Sequence, residues 1–247
     1  MKSRSQNTRF RIIARAVCLF LITYPLSLLH AQNADDIIAK YISVMGGKEK
    51  LLSIKNVYME GSMDMNGSPI SVKYWVVNKK AIRYEYTING MTSYTIITND
   101  SGWIFNPMMG QTHAEPLTGS MMRSSQSQLD PEGLLINYKT LGYKVDLKGK
   151  DDVDGTQSYK ITEKLSDSVM NTYYIDTASY YILRISTKAT VDGKQIDLSR
   201  DFGDYKKNAE GYIFPMSMGT GMGFGDLKFT VVKVNTDIDP ALFKPKR

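Results

Sequence analysis

Side chains able to do covalent or acid–base chemistry are scarce in this sequence. Beyond residue 31, His113 is the single histidine and there is no cysteine. A Ser-His-Asp relay needs an imidazole held by a carboxylate, and a zinc site needs several His, Cys or acidic ligands. His113, in Q-T-H-A-E-P, has no second imidazole or thiolate to work with and reads as a strand-surface residue. Asp151/Asp152 and Asp201/Asp204 are the carboxylate pairs that glycoside hydrolysis would require. They fall in turns or at strand ends, where acids are normally solvated. D-D-V-D-G at 151–155 lacks the later ligands and the bidentate Glu of a calcium loop and reads as a hairpin turn. G-T-G-M-G-F-G at 219–225 has the wrong spacing for a dinucleotide fingerprint and joins two strands, not a strand and a helix. No enzyme activity, metal or cofactor is expected.

The unusual residues are apolar and soft. Thirteen of the 14 methionines lie beyond residue 31. Met59, Met63, Met65, Met91, Met108, Met109, Met121 and Met122 are interleaved with Trp75, Tyr84, Tyr86, Trp103 and Phe105. For any one of them an ordinary core is the competing assignment. As a group they point to binding, because methionine adapts its shape to varied apolar partners, whereas a uniquely packed core favours Leu, Ile and Val.

The elements that position these residues are mostly strands. Asn33 or Asp35 caps a helix running to about Met45, with Ile37, Ile38, Tyr41, Ile42 and Met45 at helical spacing; Gly46-Gly47 ends it and Lys48–Ser53 adds a turn. The period then changes to two. Val57, Met59, Gly61, Met63 and Met65 alternate with polar or half-polar neighbours, as in a half-buried strand. N-G at 66–67 and 89–90 and D-G at 154–155 and 192–193 are hairpin signals. Short connectors favour an antiparallel meander over βαβ units. From Thr118 to Gly142 the alternation is lost, and D-P-E-G at 130–133 introduces a helix over Leu134–Leu141. D-P-A-L-F at 239–243 reads as a final helical turn. The pattern predicts one strongly curved antiparallel sheet, an incomplete β-barrel of about eleven strands, with an N-terminal helix and mid-chain lid helices over its concave face. A membrane barrel is disfavoured by Glu60, Asp64, Lys73, Arg83 and Glu85 on faces that would meet lipid.

Residues 1–31 read as a cleaved signal peptide. Lys2, Arg4, Arg9, Arg11 and Arg15 precede the apolar run Val17–Leu29, broken by Pro25, with a cleavage signal near L-H-A-Q. Cys18 lacks the upstream pattern of a lipidation site. The remaining 32–247 reads as one domain carrying 26 basic and 25 acidic residues, so the basic balance of the whole chain resides in the leader. Nucleic acid is therefore not an expected partner.

The order of features resembles the LolA-like family of periplasmic lipoprotein carriers and its relative LolB. The matching segments are the opening helix with G-G at 46–47, A-I-R-Y-E-Y at 81–86, D-S-G-W-I-F-N-P at 100–107, I-L-R-I after Asp176, and N-T-D-I-D-P-A-L-F-K-P at 235–245. The resemblance implies a periplasmic, monomeric carrier that shelters lipoprotein acyl chains or another lipid, with transfer partners at the inner and outer membranes. An envelope sensor or scaffold binding a protein on the same fold is the alternative. The expected cavity residues are Met59, Met63, Ile82, Tyr84, Tyr86, Trp103, Phe105, Met121 and Met122. In N-D-S-G-W-I-F-N-P-M-M-G, Trp103 and Phe105 are assigned to the concave face, Ile104 to the other, and Met108 and Met109 to the rim. The family's lid-holding arginine has Asn78 at its best-matching position here, which leaves Arg83 as the substitute lid contact.

Overall fold

The computed structural model describes residues 33–65, 67–117, 119, 122, 129, 134–191, 193–220 and 225–245. The expected signal peptide, Cys18 and Met121 lie outside the described residues. Helix α1 (Ala34–Val44) starts where the Asn33 side chain accepts the Asp36 amide at 2.9 Å, satisfying one of the unpaired N–H groups of the first turn. Gly46 and Gly47, both at positive φ, end it. A five-residue helix, α2 (Lys48–Leu52), follows, and α3 (Leu134–Leu141) stands where the mid-chain helix is expected.

All the strands among the described residues form a single antiparallel sheet. They are β1 (Asn56–Met65), β2 (Ser68–Val77), β3 (Ala81–Ile88), β4 (Met91–Thr98), β5 (Gly102–Phe105), β6 (Glu115–Pro116), β7 (Lys144–Val153), β8 (Thr156–Lys164), β9 (Val169–Asp176), β10 (Ile182–Val191), β11 (Lys194–Lys207), β12 (Ile213–Met218) and β13 (Leu227–Val234). The spatial order is β6-β5-β4-β3-β2-β1-β13-β12-β11-β10-β9-β8-β7. Thirteen strands replace the expected eleven or so, the shortest being the two-residue β6. The sheet does not close, because β6 and β7 remain its two edges. Each edge carries its own protection against further pairing: β6 is short and ends in Pro116, and β7 is largely exposed and rich in Lys and Asp.

Two halves of the sheet meet where β1 pairs with β13. The register shifts between Glu60 and Gly61, and a Cβ at Gly61 would lie 2.3 Å from the Lys228 carbonyl oxygen. Only a glycine permits that approach, so this residue decides whether the halves can join.

The main core lies on the concave side. Ile37, Ile38 and Tyr41 of α1, with Leu135, Ile136 and Tyr138 of α3, pack with Ile161, Tyr173, Ile175 and Val57. Asp35 ties the two helices, accepting from the Tyr138 hydroxyl and pairing with Lys139 Nζ at 2.6 Å. Those bonds hold the Asp35 carboxyl below its ordinary pKa. A second cluster sits toward the other edge: Val76, Ile82, Ile97, Leu117 and Leu129, with Met122 packed against it.

Candidate functional site

A cavity of about 910 Å³ opens on the concave side, near the upper end of the usual ligand-pocket range of roughly 300–1,000 Å³. Its first wall comes from β1–β4. Alternation brings Met59, Met63 and Met65 of β1 onto one face with Ile70, Val72, Tyr74 and Val76 of β2. Ile82, Tyr84, Tyr86 and Ile88 of β3 continue that wall, and Thr95 of β4 and Ile104 of β5 also line the space. Tyr41 from α1 and Leu135 from α3 reach it from the helices.

The second wall comes from β9–β11 and is more polar, with Asn171, Tyr173, Ile185, Thr187 and Arg200. The Thr187 hydroxyl donates to Asn171 Oδ1 at 2.8 Å, and Asn171 Nδ2 donates to the Tyr173 hydroxyl at 3.2 Å. The Tyr173 hydroxyl then donates to Glu163 Oε2 at 2.7 Å. Glu163 is completely buried and its other oxygen has no hydrogen-bond partner. Burial pushes the Glu163 carboxyl up from its ordinary range, because the charged form loses its hydration. Burial likewise drives Tyr41 to about 12 and holds Tyr173 well above the usual phenol value. The Tyr173 phenol of this wall is a hydrogen-bonding group that remains protonated at neutral pH.

Five of the expected residues therefore line one space: Met59, Met63, Ile82, Tyr84 and Tyr86. The phase of β5 is the reverse of the expected one. Ile104 faces the cavity and takes Thr95 as its cross-strand partner. Trp103 and Phe105 belong to the outward face, where Phe105 packs against Tyr94 with ring centroids 5.3 Å apart. Alternation alone allows either phase, and Gly102 decides it. A Cβ there would lie 2.9 Å from both Leu117 Cδ1 and Met122 Sδ. The inward position must stay empty so that Leu117 and Met122 can rest on the strand. Met122 belongs to that cover, packing on the second cluster without lining the cavity. Met108 and Met109, expected at the rim, sit exposed on a 3₁₀ turn (Pro107–Met109) and do not line it.

Arg83 is corrected for the same reason of alternation. It lies between the inward residues Ile82 and Tyr84 and so points outward. Its guanidinium is buried, donates from Nε at 2.7 Å to Glu85 Oε1, donates from Nη1 at 3.0 Å to the Leu242 carbonyl, and lies 4.1 Å from the Tyr94 ring centre. It fastens the C-terminal 3₁₀ turn (Pro240–Phe243) to the back of the sheet. The cover is held elsewhere. The Lys79 amide, one residue after Asn78, donates to the Leu129 carbonyl at 2.7 Å, and the Leu117 amide donates to the Gly102 carbonyl at 2.8 Å. Asn78 itself donates to the Ile54 carbonyl at 3.0 Å.

The acid–base candidates stand outside the cavity. Asp151 pairs with Lys160 at 2.9 Å, and Asp152 Oδ1 accepts the Gly155 amide at 2.8 Å to close a hairpin turn. Asp201 pairs with Arg184, Asp204 pairs with Lys206 at 2.8 Å, and His113 is exposed.

No protein-family model and no curated protein matches the chain by sequence. Solved structures do match by shape. A LolA superfamily protein from Nitrosomonas europaea has a TM-score of 0.52 at 12% identity, covering 87% of this chain and 98% of its own. A DUF1329 family protein from Desulfovibrio piger has a TM-score of 0.51 at 15% identity, covering 84% of this chain and 97% of its own. The fold is LolA-like. Likeness at this level of identity establishes the architecture; the cavity described above carries the functional argument. Residues that sequence reasoning missed come mainly from β9–β11. Tyr74 and Val72 had a usable signal, because the β1–β2 register sets Tyr74 opposite Met59.

Proposed function

We propose that this protein is a carrier or binder of lipid that shelters acyl chains, of a lipoprotein or of another amphiphile, in the cavity behind β1–β4. The observation that carries this reading is the wall itself: three methionines, aliphatic residues and tyrosines converge on one space of about 910 Å³. Each methylene removed from water gains ~0.8 kcal/mol, so a long chain has ample driving force to enter without any covalent step. Methionine side chains accommodate chains of differing branching and saturation. In this reading residues 1–31 direct export, the mature protein works as a monomer in the periplasm of a Gram-negative envelope, and membrane partners load and unload it. No helix among the described residues is long and apolar enough to cross a membrane.

The experiment is purification from the envelope followed by native mass spectrometry, together with displacement of a fluorescent acyl probe. Lipid or acylated protein is expected to co-purify, and N-terminal sequencing should place the mature start near residue 32. Met63→Glu sets a charge against the apolar wall and is expected to weaken probe binding at least ~10-fold, the loss of roughly 1.4 kcal/mol. An empty wild-type protein that ignores acyl probes overturns the proposal.

A further inference from the structure

The cavity treats its two walls differently, and the difference bears on what kind of head group its ligand carries. The β1–β4 wall is dominated by Met, Ile, Val and Tyr. The opposite wall carries the Thr187–Asn171–Tyr173 chain of hydrogen bonds and, one strand further, Arg200. Registers place these polar residues together: Asn171 is opposite Thr187, Tyr173 is opposite Ile185, and Ile185 is opposite Arg200. Arg200 is exposed while lining the cavity, so it stands where the cavity meets solvent.

No ion pair among the described residues includes Arg200. Its strand neighbour Asp201 points to the opposite face and is held by Arg184. Glu85, which also borders the cavity, is held by the Arg83 guanidinium, and Glu163 is buried behind Tyr173. Across the opening, on β2, the Tyr74 hydroxyl feels the Arg200 charge, which offsets part of the upward shift that burial imposes on it. A cation at the mouth of an apolar cavity, with a phenol facing it and no carboxylate paired to it among the described residues, is the arrangement that holds an anionic head while the tail lies inside.

We propose that Arg200 is a head-group site and that the cavity selects single anionic amphiphiles, bearing a carboxylate or phosphate, over neutral ones of equal chain length. The tail lies along Met59, Met63 and Tyr74, and the head rests at Arg200. This inference rests on the acyl-cavity reading, and the test separates the two.

Binding of dodecanoate, dodecyl phosphate and dodecanol to the full mature chain is compared by displacement of a neutral fluorescent acyl probe. Wild-type protein is expected to bind the two anions about tenfold more tightly than the alcohol, the effect of one well-placed charge-assisted contact. Dodecanoate and dodecyl phosphate compared with one another show which head the site prefers. Arg200→Gln should bring both anions down to the alcohol's affinity and leave the alcohol within twofold of wild type, while Arg200→Lys keeps most of the preference. Arg200 is exposed, so neither substitution disturbs a core. Equal wild-type affinity for all three probes overturns the head-group site and leaves the acyl cavity standing. Unchanged anion preference in Arg200→Gln also overturns it. Failure of all three probes to bind overturns both readings.

Discussion

Gly102 is where the structure makes its most exacting prediction about the cover of the cavity. Replacing it by Ala sets a methyl carbon 2.9 Å from Leu117 Cδ1 and Met122 Sδ and 3.2 Å from the Ile96 carbonyl oxygen. Comfortable contacts lie near 3.5–4.0 Å, so both side chains must retreat by ~0.6 Å or more. Leu117 cannot slide away as a unit, because its amide is bonded to the Gly102 carbonyl at 2.8 Å. It must instead leave its rotamer, and Met122 must swing outward. Overpacking of this kind costs about 1–3 kcal/mol. Against that, Ala in a strand recovers about 0.5–1 kcal/mol of backbone entropy relative to Gly, and the backbone at 102 is not in the left-handed region. The net expectation is a loss of about 1 kcal/mol, which lowers Tm by roughly 2–4 °C for a domain of this size. Gly203→Ala on β11 is the control: a Cβ there meets nothing within 4 Å, so that variant should keep or slightly raise Tm. Scanning calorimetry of both, with binding of a fluorescent apolar dye as the measure of cavity access, decides the matter. Gly102→Ala should melt lower and take up more dye. A melting temperature equal to or above that of Gly203→Ala, with unchanged dye uptake, would refute the packing of the cover on this strand.

Gly61→Ala should be far more damaging, because its Cβ meets backbone at 2.3 Å and not a pliable side chain. A loss of at least ~3 kcal/mol in urea unfolding is expected, and a loss below 1 kcal/mol would contradict the close approach at the central seam. Arg83→Ala strands Glu85 and frees the Leu242 carbonyl; it should cost about 2–4 kcal/mol and speed proteolysis of the C-terminal turn while leaving acyl-probe affinity within twofold. A large loss of probe affinity at unchanged stability would return Arg83 to the cover. Glu163 titrates above its usual value of 4.5 because it is buried. The folded state therefore keeps this proton to higher pH than the unfolded chain, so its contribution is most favourable below 4.5 and declines as pH rises through the raised folded value. Glu163→Gln keeps an acceptor for Tyr173 and cannot ionise; urea titrations should find it equal to wild type near pH 4 and more stable than wild type at pH 8. Parallel pH profiles for the two proteins would remove Glu163 as the titrating group.

Much of the architecture is legible in the sequence because its signals are local. The change from the helical spacing of Ile37, Ile38 and Tyr41 to the alternation of Val57 through Met65 marks the step from α1 to β1. Asn89-Gly90 and Asp154-Gly155, all at positive φ, are turns that few other residue pairs adopt so readily. The site was only half legible, for a physical reason. Alternation tells which residues share a face but not which face is covered, so it groups Trp103 with Phe105 without revealing that their face is the outward one. What chooses the side is a long-range contact, Leu117 and Met122 resting on Gly102, and glycine gives no hydrophobic signal. Arg200 and Asn171 were illegible for a related reason. They enter the cavity through pairings among β9, β10 and β11, and neither an asparagine nor an arginine carries a hydrophobic signal.

The same contacts bear on how a carrier of this design would open. Helices α1 and α3 are joined through Asp35, Tyr138 and Lys139 and are buried in the main core, so moving them would expose the largest apolar surface in the protein. Among the described residues, Leu117, Met122 and Leu129 rest on a small cluster, and the Leu117 amide and Leu129 carbonyl are bonded to Gly102 and Lys79. At about 0.5–1.5 kcal/mol net per hydrogen bond and about 1.5–3 kcal/mol per buried aliphatic side chain, breaking these contacts costs several kcal/mol. A twelve-carbon tail gains ~10 kcal/mol gross on burial, enough to shift that equilibrium if the open form accepts the tail more readily. If the protein carries lipid as proposed, a tail that enters at the Gly102 edge competes with these contacts, while Arg200 on β11 lies at the solvent side of the same cavity.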